Sequence, residues 1–228
     1  MEKCNRKPVE KVGTVKAVAF DLDQTLFCRT LALQALVREW AGARYSSEVW
    51  RRVQEEDRNG YGDRMQFFGW LAEELGLRWS AEEMLLRFRA ELPRHISRAE
   101  ESIALVCALQ ERGYGVAILT NGGAELQRAK LARTELDRYV PASHLLVSGE
   151  FPFQKPDPAI FGLLCDRLGL APAEVLYVGD HYENDALGAH RAGLKAAWLR
   201  QVEGPVDMPA AIHMLEDLSE VRSLVESL

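Results

Sequence analysis

Cysteine is scarce and scattered. Cys4, Cys28, Cys107 and Cys165 are the only four in 228 residues, and no two form a C-x-x-C pair. That spacing argues against a zinc site or a disulfide framework and fits a reducing compartment. The five histidines are equally dispersed, with no His-x-x-x-His pair among them. No apolar run approaches the roughly 20 residues that span a bilayer, and the mean hydropathy is -0.18, so no membrane partner is expected. Basic surplus is also missing. A formal net charge of -6 argues against a nucleic-acid backbone as partner. It does not exclude a small anionic substrate, provided that positive potential is concentrated by a cation, a lysine or helix N-termini. There is no internal repeat and no low-complexity tract. Residues 1–14 are polar and mixed in charge, without the apolar stretch of a signal peptide. They are expected to be a short flexible tail on a cytoplasmic protein, monomeric or homodimeric.

What is present describes a well-buried α/β protein. Hydrophobic residues make up 47% and charged residues 27% of the chain, enough for one domain or a core with one sizeable insertion. Short apolar, β-branched runs at 15–21, Val116–Thr120, His144–Ser148, Val175–Gly179, Ala196–Leu199 and Ile212–Met214 predict strands. Helical patterns separate most of them. Ile103, Val106 and Leu109 give a stripe that Gly113 closes, and Asp157–Pro158 and Gly169 bracket another helix. A proline-rich loop is expected after Gln201, and a final amphipathic helix from about Leu218. This alternation predicts a Rossmann-like parallel sheet with helices on both faces.

Residues 28–97 break the rhythm. Leu33, Leu36, Val37 and Trp40, then Phe68, Leu71, Ala72 and Leu75, repeat at helical spacing, and Ser80-Ala-Glu-Glu83 is a capping box. An all-helical domain over 28–97, inserted after the first strand of a core formed by 15–27 and 98–228, is therefore expected. Its basic residues are all arginine, eleven against eleven acids. Glu48–Arg52, Glu74–Arg78 and Glu83–Arg87 are spaced as i,i+4 pairs on solvated faces. Arg58, Tyr61 and Arg64, around the glycine-containing break Asn59–Gly62, are the better candidates for contact with a substrate.

The chemistry lies at strand ends. The first strand runs into Asp21-Leu22-Asp23-Gln24-Thr25, two carboxylates two residues apart that repel each other unless a cation sits between them. The second runs into Thr120-Asn121-Gly122, a hydroxyl and backbone N–H groups at a helix start, ready for an anion. Lys155 is held against a helix start by Pro156 and Pro158. Asp180 follows an apolar strand directly, with Asp185 five residues on, and such carboxylates are hard-oxygen ligands suited to magnesium.

The order DLDQT, TNG, KPDP, GDHYEND resembles the four motifs of the haloacid dehalogenase superfamily of phosphotransferases. The likeness extends to Gln127, Lys130, Gly188, Ala189, Ala192 and Gly193 and covers roughly residues 15–200. It implies Asp21 as the nucleophile that forms an aspartyl phosphate, and Asp23 as the acid and then base. Thr120 would bind phosphoryl oxygens and Lys155 would neutralise charge, with Leu22, Asn121 and Gly122 joining the substrate-binding set. Magnesium would be held by Asp21, the carbonyl of Asp23, Asp180 and Asp185, the last through water or as an orienting residue. The helical insertion resembles a cap that chooses the leaving group. Dehalogenating members lack the second aspartate, so Asp23 favours phosphate esters, in a small nucleotide- or sugar-phosphate-like metabolite. A sugar phosphomutase would share every core residue; a 2-haloacid dehalogenase and a silent binding module are the remaining alternatives. Gln24 stands where glycine is frequent, and Phe151 to Gln154 make the approach to Lys155 bulky.

Overall fold

The computed structural model describes residues 14–200 and 208–228. The expected tail therefore lies outside the described residues except at Thr14, whose N–H donates to the Leu228 carbonyl (3.0 Å). Most of the loop expected after Gln201 lies outside them as well. The chain forms two compact units, one from the described parts of Met1–Phe27 and Arg98–Leu228, the other Cys28–Ser97. No helix among the described residues is long and apolar enough to cross a membrane.

Strand β1, Ala17–Phe20, opens the first unit, and the chain then enters the helical one. There α1 (Arg29–Ala41), α2 (Ser47–Asp57), α3 (Arg64–Leu75) and α4 (Ala81–Glu91) follow in turn. Both expected apolar stripes are buried, from Leu33 to Trp40 and from Phe68 to Leu75. Ser80 and Glu83 close the capping box reciprocally. The surface ion pairs depart from their expected partners. Arg52 reaches Glu74 on α3 (2.8 Å), Glu48 takes Arg51 (2.7 Å), and Arg87 pairs forward with Glu91 (3.5 Å). The reason is competition: Glu83 already accepts the Ser80 N–H (2.8 Å), and long arginines on exposed faces take whichever carboxylate is nearest.

Back in the first unit come α5 (Glu100–Glu111), β2 (Gly115–Thr120), α6 (Ala124–Thr134) and β3 (Leu145–Val147). They are followed by α7 (Pro158–Leu168), β4 (Val175–Gly179), a π-helical segment Tyr182–Leu187 and α8 (Gly188–Arg191). The unit ends with β5 (Lys195–Leu199), β6 (Ile212–Leu215) and α9 (Val221–Ser227). All six strands are parallel, in the order β3-β2-β1-β4-β5-β6. Strand β3 is shorter than its apolar run because His144 ends one 3-10 turn and Ser148 begins another.

Alternate strand residues feed two cores, as a period of two requires. Val18, Phe20, Ile118 and Val178 pack with Val106 and Leu109 of α5, Leu131 of α6 and Val225 of α9. On the other face Ala19, Ala117, Leu119 and Tyr177 pack with Ile160, Phe161 and Leu164 of α7. The strand order places β1 at the centre, flanked by β2 and β4. The chain builds outward on one side of β1 and then on the other, and the C-terminal ends of β1, β2 and β4 border that switch point.

Candidate active site

Each of those strand ends carries one of the candidate site residues: Asp21 after β1, Thr120 closing β2, and Asp180 after β4. The ladder continues one step beyond β1, since the Asp21 N–H donates to the Val178 carbonyl (2.9 Å). This fixes the backbone of Asp21 and leaves its carboxylate at the rim. Lys155 Nζ donates to Asp21 Oδ1 (2.7 Å), Asp185 Oδ1 (2.6 Å) and the Tyr177 hydroxyl (2.9 Å). The lysine loop is braced in turn. Asn121 Nδ2 donates to the Lys155 carbonyl (2.8 Å) and Asn121 Oδ1 accepts the Lys155 N–H (3.0 Å).

Asp180 is oriented by Thr25, whose Oγ1 accepts the Asp180 N–H (3.1 Å) and donates toward Oδ1 (3.4 Å). Trp198 Nε1 holds the Asp180 carbonyl (2.8 Å). Asp185 is fully buried on the π-helical segment, its Oδ2 accepting the His181 N–H (3.0 Å). Both of its oxygens are thus engaged by protein donors. Gly179 is required here, because a Cβ would overlap the Asp185 carboxylate.

Carboxylate oxygens of Asp21, Asp180 and Asp185 lie within 4.8 Å of one another. Burial pushes Asp21 up to about 7 despite the lowering effect of Lys155, with Asp185 adding to the rise. Burial, then Asp21 and Asp185, push Asp180 up to about 8. Lys155 pairs with two of these three crowded carboxylates, Asp21 and Asp185, so negative charge exceeds that of its ammonium when all are ionised. Hard oxygens with surplus negative charge are the donor set that a divalent cation such as magnesium requires, and the residues fit it.

Asp23 belongs to a different network. Lys130 Nζ donates to both of its oxygens (2.8 and 2.7 Å), and Gln127 Nε2 donates to Asp23 Oδ2 (3.0 Å) and to Thr120 Oγ1 (2.6 Å). The two aspartates expected to face one ligand thus have separate lysines, because the chain leaves the strand after Asp21. The Leu22 side chain is buried in the core cluster, so only its backbone remains for a substrate. The Gly122 N–H, expected to face an anion, donates to Ser148 Oγ (3.1 Å). Gln24 adopts a positive φ of 60°, the conformation that glycine takes without strain. Phe151 and Phe153 stack at 6.2 Å.

Within the helical unit, Arg58 ends α2 in the left-handed region and is exposed, and Tyr61 is 48% exposed. Arg64 turns inward instead. Its Nη1 donates to buried Asp57 (2.9 Å), which also holds Arg29 (2.5 Å), and its guanidinium lies 4.7 Å from the centroids of both Phe67 and Phe68. Arg64 Nη2 is buried without a hydrogen-bond partner among the described residues.

Sequence reasoning did not single out Tyr177, whose hydroxyl bridges Lys155 and the Leu119 carbonyl (2.8 Å). Its one signal was a polar aromatic in an otherwise aliphatic strand, two residues before Gly179. It also gave Gln127 and Lys130 no role.

An open parallel sheet with a buried lysine-paired carboxylate and an acidic cluster at its switch point is that of a Rossmann-like α/β protein with a candidate active site at its strand ends. The family model of haloacid dehalogenase-like hydrolases matches residues 15–193, and the chain belongs to that family. It is 38% identical over 122 residues to a phosphoserine phosphatase of Thermus thermophilus, covering 53% of this chain and 48% of the relative. It is 30% identical over 183 residues to the N-acylneuraminate-9-phosphatase of Homo sapiens, covering 78% and 66%. The match thus spans about half the length of the first and under two thirds of the second. A solved HAD phosphatase from Thermococcus onnurineus superposes with a TM-score of 0.65 at 25% identity, covering 92% of this chain and 98% of that one.

Proposed function

We propose that this chain is a magnesium-dependent phosphatase that hydrolyses a small phosphorylated metabolite, nucleotide- or sugar-phosphate-like, through an aspartyl phosphate on Asp21. The observation that carries it is the pair of separately held aspartates. Asp21 is bound to Lys155 among the crowded carboxylates, and Asp23 is held by Lys130 and Gln127. One is poised as a nucleophile and the other as a proton carrier. Asp21 attacks phosphorus in line while Asp23 donates a proton to the departing ester oxygen. Asp23 then takes a proton from the water that attacks the aspartyl phosphate, releasing inorganic phosphate and restoring Asp21. Lys155 balances charge on the phosphoryl group, and the Thr120 hydroxyl positions one of its oxygens. Asp21, Asp180 and the Asp23 carbonyl would hold magnesium, with Asp185 as an orienting residue or a ligand through water, and the ion would supply neutralisation of the phosphoryl charge.

The relatives' names, phosphoserine and N-acylneuraminate-9-phosphatase, support a small phosphate monoester as substrate class. The helical unit is the element proposed to choose the leaving group, with Arg58, Tyr61 and Arg64 as its candidate contacts. A dehalogenase has no use for Asp23 and its dedicated lysine. The test is phosphate release from a panel of phosphorylated metabolites and an aryl phosphate, with magnesium, with a chelator, and with Asp21→Asn. Magnesium-dependent turnover lost in the variant is expected. Sugar-phosphate isomerisation without phosphate release would assign a mutase instead.

A further inference from the structure

We propose that Lys130 and Gln127 are positioning residues that fix the Asp23 carboxylate for proton transfer, with Gln127 setting its distance from the phosphoryl-binding Thr120. The inference rests on the reading of Asp23 as the proton carrier and extends it to the residues that make it effective. Lys130 and Gln127 lie three residues apart on one face of α6 and are 3% and 1% exposed. A lysine so deeply placed is uncommon unless paired. Its ammonium contacts both oxygens of a carboxylate that is itself 21% exposed. A buried ammonium thus anchors a partly exposed carboxylate, an arrangement that locks the side chain in place. Gln127 Nε2 ties Asp23 Oδ2 to Thr120 Oγ1. The group that meets the leaving oxygen and the group that meets the phosphoryl oxygens are thereby held by one amide.

Three hydrogen bonds on one carboxylate leave it little rotational freedom. Misplacing a reacting group by about 1 Å can cost roughly 100-fold. Loss of Lys130 frees the carboxylate to hydrate and swing, and the penalty falls on the step in which the leaving oxygen needs a proton. That step is contained in kcat/KM, since formation of the aspartyl phosphate expels the leaving group. Substrates with acidic leaving groups, such as nitrophenyl phosphate, depart unprotonated and are insensitive; alkyl phosphates are not.

The experiment measures kcat/KM of the full chain with magnesium for aryl phosphates of graded leaving-group acidity and for alkyl phosphates. It compares wild type, Asp23→Asn, Lys130→Met, Lys130→Arg and Gln127→Leu. Proton donation contributes about 100- to 10,000-fold in such steps. Lys130→Met is therefore expected to lose about 100-fold on alkyl phosphates and less than about 10-fold on nitrophenyl phosphate. It should parallel Asp23→Asn, with partial recovery in Lys130→Arg. Gln127→Leu is expected to steepen the dependence in the same direction, and serves where Lys130→Met does not fold. An equal loss on all substrates in the Lys130 and Gln127 variants, with Asp23→Asn steep, overturns this inference alone. A flat dependence in Asp23→Asn overturns the reading of Asp23 beneath it, and this inference with it.

Discussion

Replacing Lys155 by methionine keeps most of the side-chain volume and removes one buried charge. Lys155 is 2% exposed and its ammonium touches Asp21, Asp185 and the Tyr177 hydroxyl. Without it two buried carboxylates lose their shared counter-charge. Removing one partner of a buried ion pair costs about 3–5 kcal/mol. In a chain of this size each ~1 kcal/mol moves Tm by about 2–4 °C, so a drop of roughly 6–20 °C is expected. The deficit has a pH signature. Asp21 already stands at about 7 when folded, raised by burial against the lowering effect of Lys155. The variant raises it further, so the folded protein keeps a proton that the unfolded chain has released. Stability from a bound proton is present at acid pH and is lost as pH rises through the folded pKa. The deficit should therefore be smaller at pH 6 than at pH 8. Thermal unfolding of both proteins in chelator at the two pH values measures it, and added magnesium should narrow the gap. A Tm at pH 8 within about 2 °C of wild type would refute this account of the charge balance.

Three further outcomes follow from the same geometry. Because Asp21 and Asp180 are raised from 3.8 to about 7 and 8, metal-free protein should lose stability as pH rises from about 4 through about 8, read as a falling Tm in chelator. Magnesium binding at pH 7 should release protons, read by calorimetry in buffers of different ionisation enthalpy; no release would show the carboxylates already ionised. Gly179→Ala should destabilise the protein by about 1–3 kcal/mol and weaken magnesium affinity, because the Cβ overlaps a carboxylate with no room to retreat. A magnesium titration and a melt of the variant test both, and unchanged affinity would count against Asp185 as part of the cation site.

Much of the fold was legible because the central strands are short, apolar and buried, and the helices carry explicit stops. Asp157 with Pro158, Gly169, Gly113 and the Ser80–Glu83 box all act where local chemistry says they should. The break in pattern at Cys28 was legible for the same reason, since a change from period two to period 3.6 needs no long-range information. The ion pairs of the helical unit were not. Exposed arginines have several acids within reach, and spacing along one helix cannot see Glu74 on the next.

Local pattern alone fixes which residues stand at the ends of strands β1, β2 and β4, hence that Asp21, Thr120 and Asp180 meet at one rim. Local hydrophobic pattern sets where a strand ends, and parallel topology brings those ends together. How the charges are shared out among them depends on the packed molecule. Lys155 takes Asp21 and Asp185, while Lys130 and Gln127 take Asp23. Tyr177 reaches across from β4 to support the lysine, and Arg64 turns into the helical unit toward Asp57. Those choices depend on distances of a few ångströms between residues up to 134 positions apart, and a charge in a low-dielectric interior is settled by whichever partner is within reach.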